Sequence, residues 1–227
     1  MAVPQGGRGR ASTGRGGQDI WSIRYRVGIL CGMTYYERNL PHWQPEGATF
    51  FVTWRLFGSL PVQKRTARNG CATGSAAKVE TPGERFKRFD RVLDRTAIGP
   101  HWLRISTVAD RVTELLLKGE KELGYFSLHA FVVMPNHVHL LMTPKMPLRQ
   151  IMNGIKGSTA NAANAILSRT GKPFWQDESF DHWVRTDKEF GSIFRYIERN
   201  PVSAGLARRP EGWAWSSAGT SVTQSAF

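Results

Sequence analysis

Apolar positions along the chain follow two spacings. Thr49 to Phe57 is dense in β-branched and aromatic residues and is bounded by Gly47 and Gly58, which predicts a strand. Tyr125 to Met134 is the strongest strand signal in the chain. Pro135-Asn136 then marks a turn, and His137 to Thr143 returns as a second strand. Helical spacing marks residues 84–95 and 107–123; the second stretch carries Val108, Val112, Leu115 and Leu116, with Lys118 and Lys121 toward its C-terminal end. Residues 148–169, rich in Ala, Asn and Lys, predict another helix, and the mixed segment Phe174 to Arg185 a short strand. Thr186-Asp187-Lys188-Glu189 has the form of a capping box and opens a helix that Pro201 is expected to stop. Strand, helix, strand, strand, helix, strand is the order of the ferredoxin-like βαββαβ fold, an α+β sandwich with an antiparallel sheet, here with an extra C-terminal helix.

The flanks carry little pattern. Residues 1–19 are Gly- and Arg-rich with almost no apolar side chains, too few to offset chain entropy. Val27 to Tyr36 is a short apolar run, poorly patterned for a strand and with no evident pairing partner. Order is therefore expected near Leu40, with residues 1–33 a disordered or dispensable extension and Met33 a candidate natural start. Residues 61–83 are polar, contain Asn69-Gly70 and Pro82-Gly83, and read as a surface insertion in a domain spanning 34–218, followed by a tail over 219–227.

Charge narrows the partners. The 227 residues include 31 Lys and Arg against 18 Asp and Glu, a formal charge of +13. Such an excess favours polyanions, because each neutralised phosphate releases a counterion, although a merely solvated basic surface has the same composition. Cys31 and Cys71 match no metal or disulfide spacing and read as reduced thiols of a cytoplasmic protein. No stretch reaches the roughly 20 apolar residues of a membrane span, and the N-terminus lacks the apolar centre of a signal peptide.

Three groups of residues could carry chemistry. In a strand, residues two apart share a face, so His137 and His139 stand side by side while Val138, Leu140 and Met142 point into the core. At about 3.3 Å rise per residue both imidazoles can reach one ion; two solvent-facing histidines outside the core would look the same. In the last helix, Phe190, Ile193, Phe194 and Ile197 form an apolar stripe. Tyr196 lies roughly 110° and Asn200 roughly 70° from its centre, so the tyrosine hydroxyl can stay at a groove and the asparagine oxygen can face a metal. An ordinary boundary tyrosine is the plain alternative. Lys156 with Ser158 and Thr159, on a helix whose exposed face also carries Arg149, could position phosphates, as could Arg195 beside the tyrosine. Trp175, Trp183, Trp213 and Trp215 could stack on unpaired bases or complete a small core.

Taken together, these segments resemble the REP-associated tyrosine transposases, single-tyrosine members of the HUH group. The resemblance rests on Leu40-Pro-His-Trp-Gln-Pro-Glu-Gly-Ala-Thr-Phe-Phe-Val-Thr-Trp-Arg-Leu56, Leu128 to Leu141 with Met-Pro-Asn-His-Val-His at its centre, and Phe174-Trp-Gln176. It continues through Ser179-Phe-Asp-His182, Arg195-Tyr-Ile-Glu-Arg-Asn-Pro-Val-Ser-Ala-Gly-Leu206 and Trp213-Ala-Trp-Ser-Ser-Ala218. It implies a metal-dependent endonuclease and strand transferase acting on single-stranded or hairpin DNA through a 5′-phosphotyrosine. Tyr196 would be the nucleophile, His137, His139 and Asn200 the ligands of Mg2+ or Mn2+, and the working form a monomer or homodimer. A transposase-derived hairpin-binding protein or repressor that does not cleave is the competing reading, separable by whether a covalent protein–DNA adduct forms.

Overall fold

The computed structural model describes residues 33–37, 41–45, 47–59, 90–94 and 99–220. The expectations for residues 1–32, for the 61–83 insertion, for the two cysteines and for most of the tail lie outside these residues.

Two short strands, β1 (Met33–Glu37) and β2 (Pro41–Pro45), form an antiparallel pair with Tyr35 opposite Trp43. A strand over Met33–Glu37 thus stands where the sequence read an apolar run poorly patterned for one. Met33 to Tyr36, the described end of that apolar run, find their partner in the strand that follows, which Pro41 and Pro45 bracket.

The main sheet has four strands, β3 (Thr49–Arg55), β4 (Phe126–Val133), β5 (His137–Pro144) and β6 (Phe180–Val184), in the spatial order β4-β5-β3-β6. Every neighbouring pair is antiparallel. Taking the four strands in chain order as first to fourth, the sheet runs second, third, first, fourth, the ferredoxin-like arrangement expected from the pattern. Helix α1 (Ser106–Lys121) and helix α2 (Leu148–Ile166) cover one face, burying Val108, Val112, Leu116, Ile151 and Ile155 against Phe50, Val52, Trp54, Val138, Leu140 and Met142. Helix α3 (Asp187–Ser203) lies on the other face, where Ile197 packs with Phe51, Val132, Leu141 and Val184. A one-turn helix, α4 (Ser217–Thr220), follows.

Local chemistry sets these elements. Thr186 caps α3 by accepting from the Glu189 amide at 3.2 Å, as the capping-box pattern required. Pro201 does not stop the helix: it sits inside the last turn, and the helix runs on to Ser203 before Gly205, at φ 72°, turns the chain. A proline this close to the C-terminal end forfeits one backbone bond without breaking a long ladder. The Pro135-Asn136 turn joins β4 to β5, with the Met134 amide donating to His137 O at 2.8 Å. That bond closes the β4–β5 hairpin with Val133 opposite Val138, and on the other edge of β5 the β3 ladder puts Thr53 opposite His139 and Arg55 opposite His137.

Candidate metal centre and its tyrosine

Strand alternation places His137 and His139 on the α3 face, as read from the sequence, but both rings are fully buried instead of outside the core. The helical segment 90–94 and helix α3 supply groups that close over them: Asp90 reaches both rings, and Asn200 reaches Asp90 and His139. A sheet face can be polar and still dry when a second layer covers it.

Each histidine is held by its Nδ1. Asn136 uses its Nδ2 to donate to Leu93 O at 3.0 Å, which leaves its Oδ1 to accept from His137 Nδ1–H at 2.7 Å. Thr53 Oγ1 shares a 2.7 Å hydrogen bond with His139 Nδ1. Partners of this kind set ring orientation and tautomer at metal sites. The Nε2 atoms consequently converge at 3.1 Å. With its proton on Nδ1, neutral His137 presents a bare lone pair to that gap.

Asp90 Oδ1 lies 3.2 Å from His139 Nε2 and 3.5 Å from His137 Nε2. Asp94, one turn on, comes within 3.9 Å of His137 Nε2. Asn200 enters from α3, its Nδ2 3.3 Å from His139 Nε2 and donating at 3.4 Å to Asp90 Oδ2. One donor atom each from Asp90, His137 and His139 falls within 4.8 Å of the others. Two imidazole nitrogens and a carboxylate oxygen this close suit one cation about 2.0–2.2 Å from each. The polar atoms left over agree: Asp90 Oδ1 and Asn200 Oδ1 are buried without a hydrogen-bond donor. Stranded acceptors in a dry site are costly, and a cation satisfies them together. The residues present therefore fit a divalent metal.

The electrostatics match a site kept ready for a cation. Burial, with the neighbouring His139, pushes His137 down to about 3 against the opposing pull of Asp90, so its ring is neutral at physiological pH. Burial works to raise the Asp90 carboxyl, but His139, then His137 and the Asn200 amide, more than offset it, and its pKa lies below the usual value.

Tyr196 stands half-buried at the rim, its ring 5.7 Å from that of His139 and 6.2 Å, edge-on, from Phe51. Phe51 in turn stacks on His139 at 5.6 Å. The boundary position read from the helical wheel thus places the phenol against a ring of the candidate metal centre. Arg195 is exposed on the same helix.

The remaining predicted contacts are not gathered here. Arg149, Lys156 and Ser158 belong to α2, on the opposite face of the sheet. Arg149 is exposed, whereas Lys156 donates to the backbone oxygens of Gln176 and Asp177 at 2.7 and 2.6 Å, tethering the segment that leads into β6. Ser158 and Thr159 are buried, not part of an exposed polar face. Their hydroxyls donate back to Gly154 O and Ile155 O within the helix, and Thr159 also accepts from Trp175 Nε1. Trp175 is accordingly core, while Trp213 and Trp215 are tied to Val133 O and Asp110. Asp90 was missed. Its signal was available in the carboxylates of Asp90 and Asp94 four residues apart, one turn of the expected 84–95 helix.

A ferredoxin-like sheet with a two-histidine, one-carboxylate centre beneath a helical tyrosine defines a class of protein. Residues 102–200 match the family model described as IS200-like transposase. That segment, which holds both histidines, Tyr196 and Asn200, is what the chain has in common with the IS200-like transposases. The fold is similar to that of a REP-associated tyrosine transposase solved bound to a REP hairpin, with TM-score 0.51 and 16% identity over 84% of this chain and 88% of that one. A putative transposase from Deinococcus radiodurans R1 aligns at TM-score 0.36 and 17% identity over 66% of this chain and 88% of that one. No curated protein matches the chain.

Proposed function

We propose that the protein is a metal-dependent endonuclease and strand transferase for single-stranded or hairpin DNA, with Tyr196 as nucleophile and residues 34–218 as the working unit. The observation that carries this reading is the half-buried phenol of Tyr196 packed edge-on against His139, a candidate ligand, with Asn200 one helical turn further into the same site. Bound by His137, His139 and Asp90, with Asn200 completing the set, a divalent cation would supply Lewis-acid polarisation of a phosphodiester. Two imidazoles favour manganese over magnesium on intrinsic affinity.

Tyr196 is unreactive at its free pKa of about 10 and needs a positive field to become a nucleophile. In this reading its Oη bonds to phosphorus as the bond to the 3′ oxygen breaks. The phenolic proton passes through solvent to the leaving 3′-hydroxyl, and the 5′-phosphate stays on the tyrosine. The reverse step rejoins a strand without an external energy source. Thr53 and Asn136 hold the imidazoles in the ligand tautomer, and Phe51 and Ile197 keep the helix seated on the sheet. Hairpin DNA is favoured because the structural neighbour was solved with one and because the net charge suits a polyanion.

A labelled pool of single-stranded hairpin oligonucleotides, incubated with protein and manganese and run on a denaturing gel, tests the reading. The native chain should leave a covalent adduct and Tyr196→Phe none. No adduct from the native chain, with hairpin binding intact, would establish the non-cleaving binding protein instead.

A further inference from the structure

Arg55 is the sole Lys or Arg in the four strands of the main sheet. It follows Phe51 and Thr53 at two-residue steps and so shares their face, the face of the histidines. Its direct cross-strand neighbour is His137, and such pairs have Cβ atoms about 4.5–5.5 Å apart.

The side chain is half-buried, and its Nη1 donates at 3.3 Å to Ser59 Oγ. Ser59 is itself fully buried in a turn with little freedom: Gly58 has φ 78°, and a Cβ on Gly99 would lie 2.6 Å from Gly58 O. The backbone of Arg55 is fixed too, because its oxygen accepts from Gln176 N at 2.9 Å in the segment that Lys156 tethers. Burial lowers the guanidinium pKa and Glu178 works against that, so the group stays a cation. Placing a cation in a sheet costs desolvation, which one hydrogen bond to Ser59 and the charge of Glu178 offset in part.

Charge says what the cation is for. Asp90, between the two histidines, and Asp94, beside His137, bring two carboxylates to the centre. A divalent cation cancels them and leaves nothing to meet the charge of a phosphodiester or the negative charge that develops during its cleavage. Tyr196 sits over Phe51 and His139 at one end of this face, and Arg55 stands beside His137 at the other. A phosphate drawn to the centre would therefore meet the phenol on one side and the guanidinium fork on the other.

We propose that Arg55 is a phosphate-binding residue of the site, holding a DNA phosphodiester on the His137 side of the centre, across it from Tyr196. This rests on the nucleic-acid reading above, and the experiment separates the two. In a Tyr196→Phe background, which leaves binding without chemistry, the affinity for a short single-stranded oligonucleotide is measured by fluorescence anisotropy with and without manganese. If Arg55 and the metal hold the same phosphate, Arg55→Gln should cut the manganese-dependent gain in affinity about tenfold, the worth of one charge-assisted contact. Manganese affinity itself, read by paramagnetic resonance of the free ion, should stay within about twofold by the same argument, because the ligands are untouched. Arg55→Met, whose apolar stem fills the same space, runs in parallel so that a folding failure of the Gln variant does not end the measurement. Arg55→Lys should recover part of the gain, since it keeps the charge and loses the fork. An unchanged manganese-dependent gain, or lost manganese affinity in a folded variant, overturns the proposal. A native chain that forms no adduct but shows the Arg55 coupling would remove the endonuclease reading and leave the phosphate site standing.

Discussion

His137 should make the metal-free protein acid-labile well above the pH at which carboxylates titrate. Folded, its pKa is about 3; unfolded, an ordinary histidine has about 6.5. Between those values the unfolded chain binds a proton that the folded protein refuses, so stability falls as pH falls through this window. Integrating the two titrations from pH 7 to pH 5 gives a loss of about 2 kcal/mol from this residue alone. For a domain of this size that is about 4–8 °C in melting temperature. Burial also depresses His129, and a depressed histidine adds to the loss in the same direction, whereas Asp90, depressed below the ordinary aspartate value, adds its share only at lower pH. The native chain and His137→Gln should be melted in chelator at pH 5, 6, 7 and 8. The variant removes the titrating ring, so its melting temperature should fall by about 4–8 °C less than that of the native chain between pH 7 and pH 5. Parallel pH profiles would show that His137 takes up its proton when folded, and the dry, neutral ring described above would be wrong.

Manganese at a hundredfold above its dissociation constant should stabilise the native chain by about 2.7 kcal/mol, or about 5–10 °C. Asp90→Asn should lose most of that shift, and an undiminished one would remove Asp90 from the ligand set. Thr53→Val keeps the shape but drops the hydroxyl at His139 Nδ1; a metal titration should show affinity down about 10–100-fold, with normal affinity counting against the orienting role. Lys156→Met cuts the tether to Gln176 O and Asp177 O and should lower stability by about 1–3 kcal/mol in a denaturant melt. A stable variant whose DNA binding merely became less salt-dependent would return Lys156 to the phosphate contacts.

The sequence by itself determined whatever depends on neighbours in the chain. Alternation along 137–142 put both histidines on one face and Val138, Leu140 and Met142 on the other, because successive strand side chains must point to opposite sides. The capping box at Thr186 and the helical wheel around Tyr196 are local in the same sense. What the tertiary structure decided is which elements face each other. Asn200 meets Asp90 from 110 residues away, and no periodicity within either segment encodes that meeting. Strand register set Arg55 beside His137, and the choice of sheet face for α2 carried Lys156 and Ser158 away from the centre. Burial followed from the same packing. A histidine pair on a strand carries no mark of how deep it lies until a second layer closes over it, and here that layer also brings the carboxylate and the tyrosine.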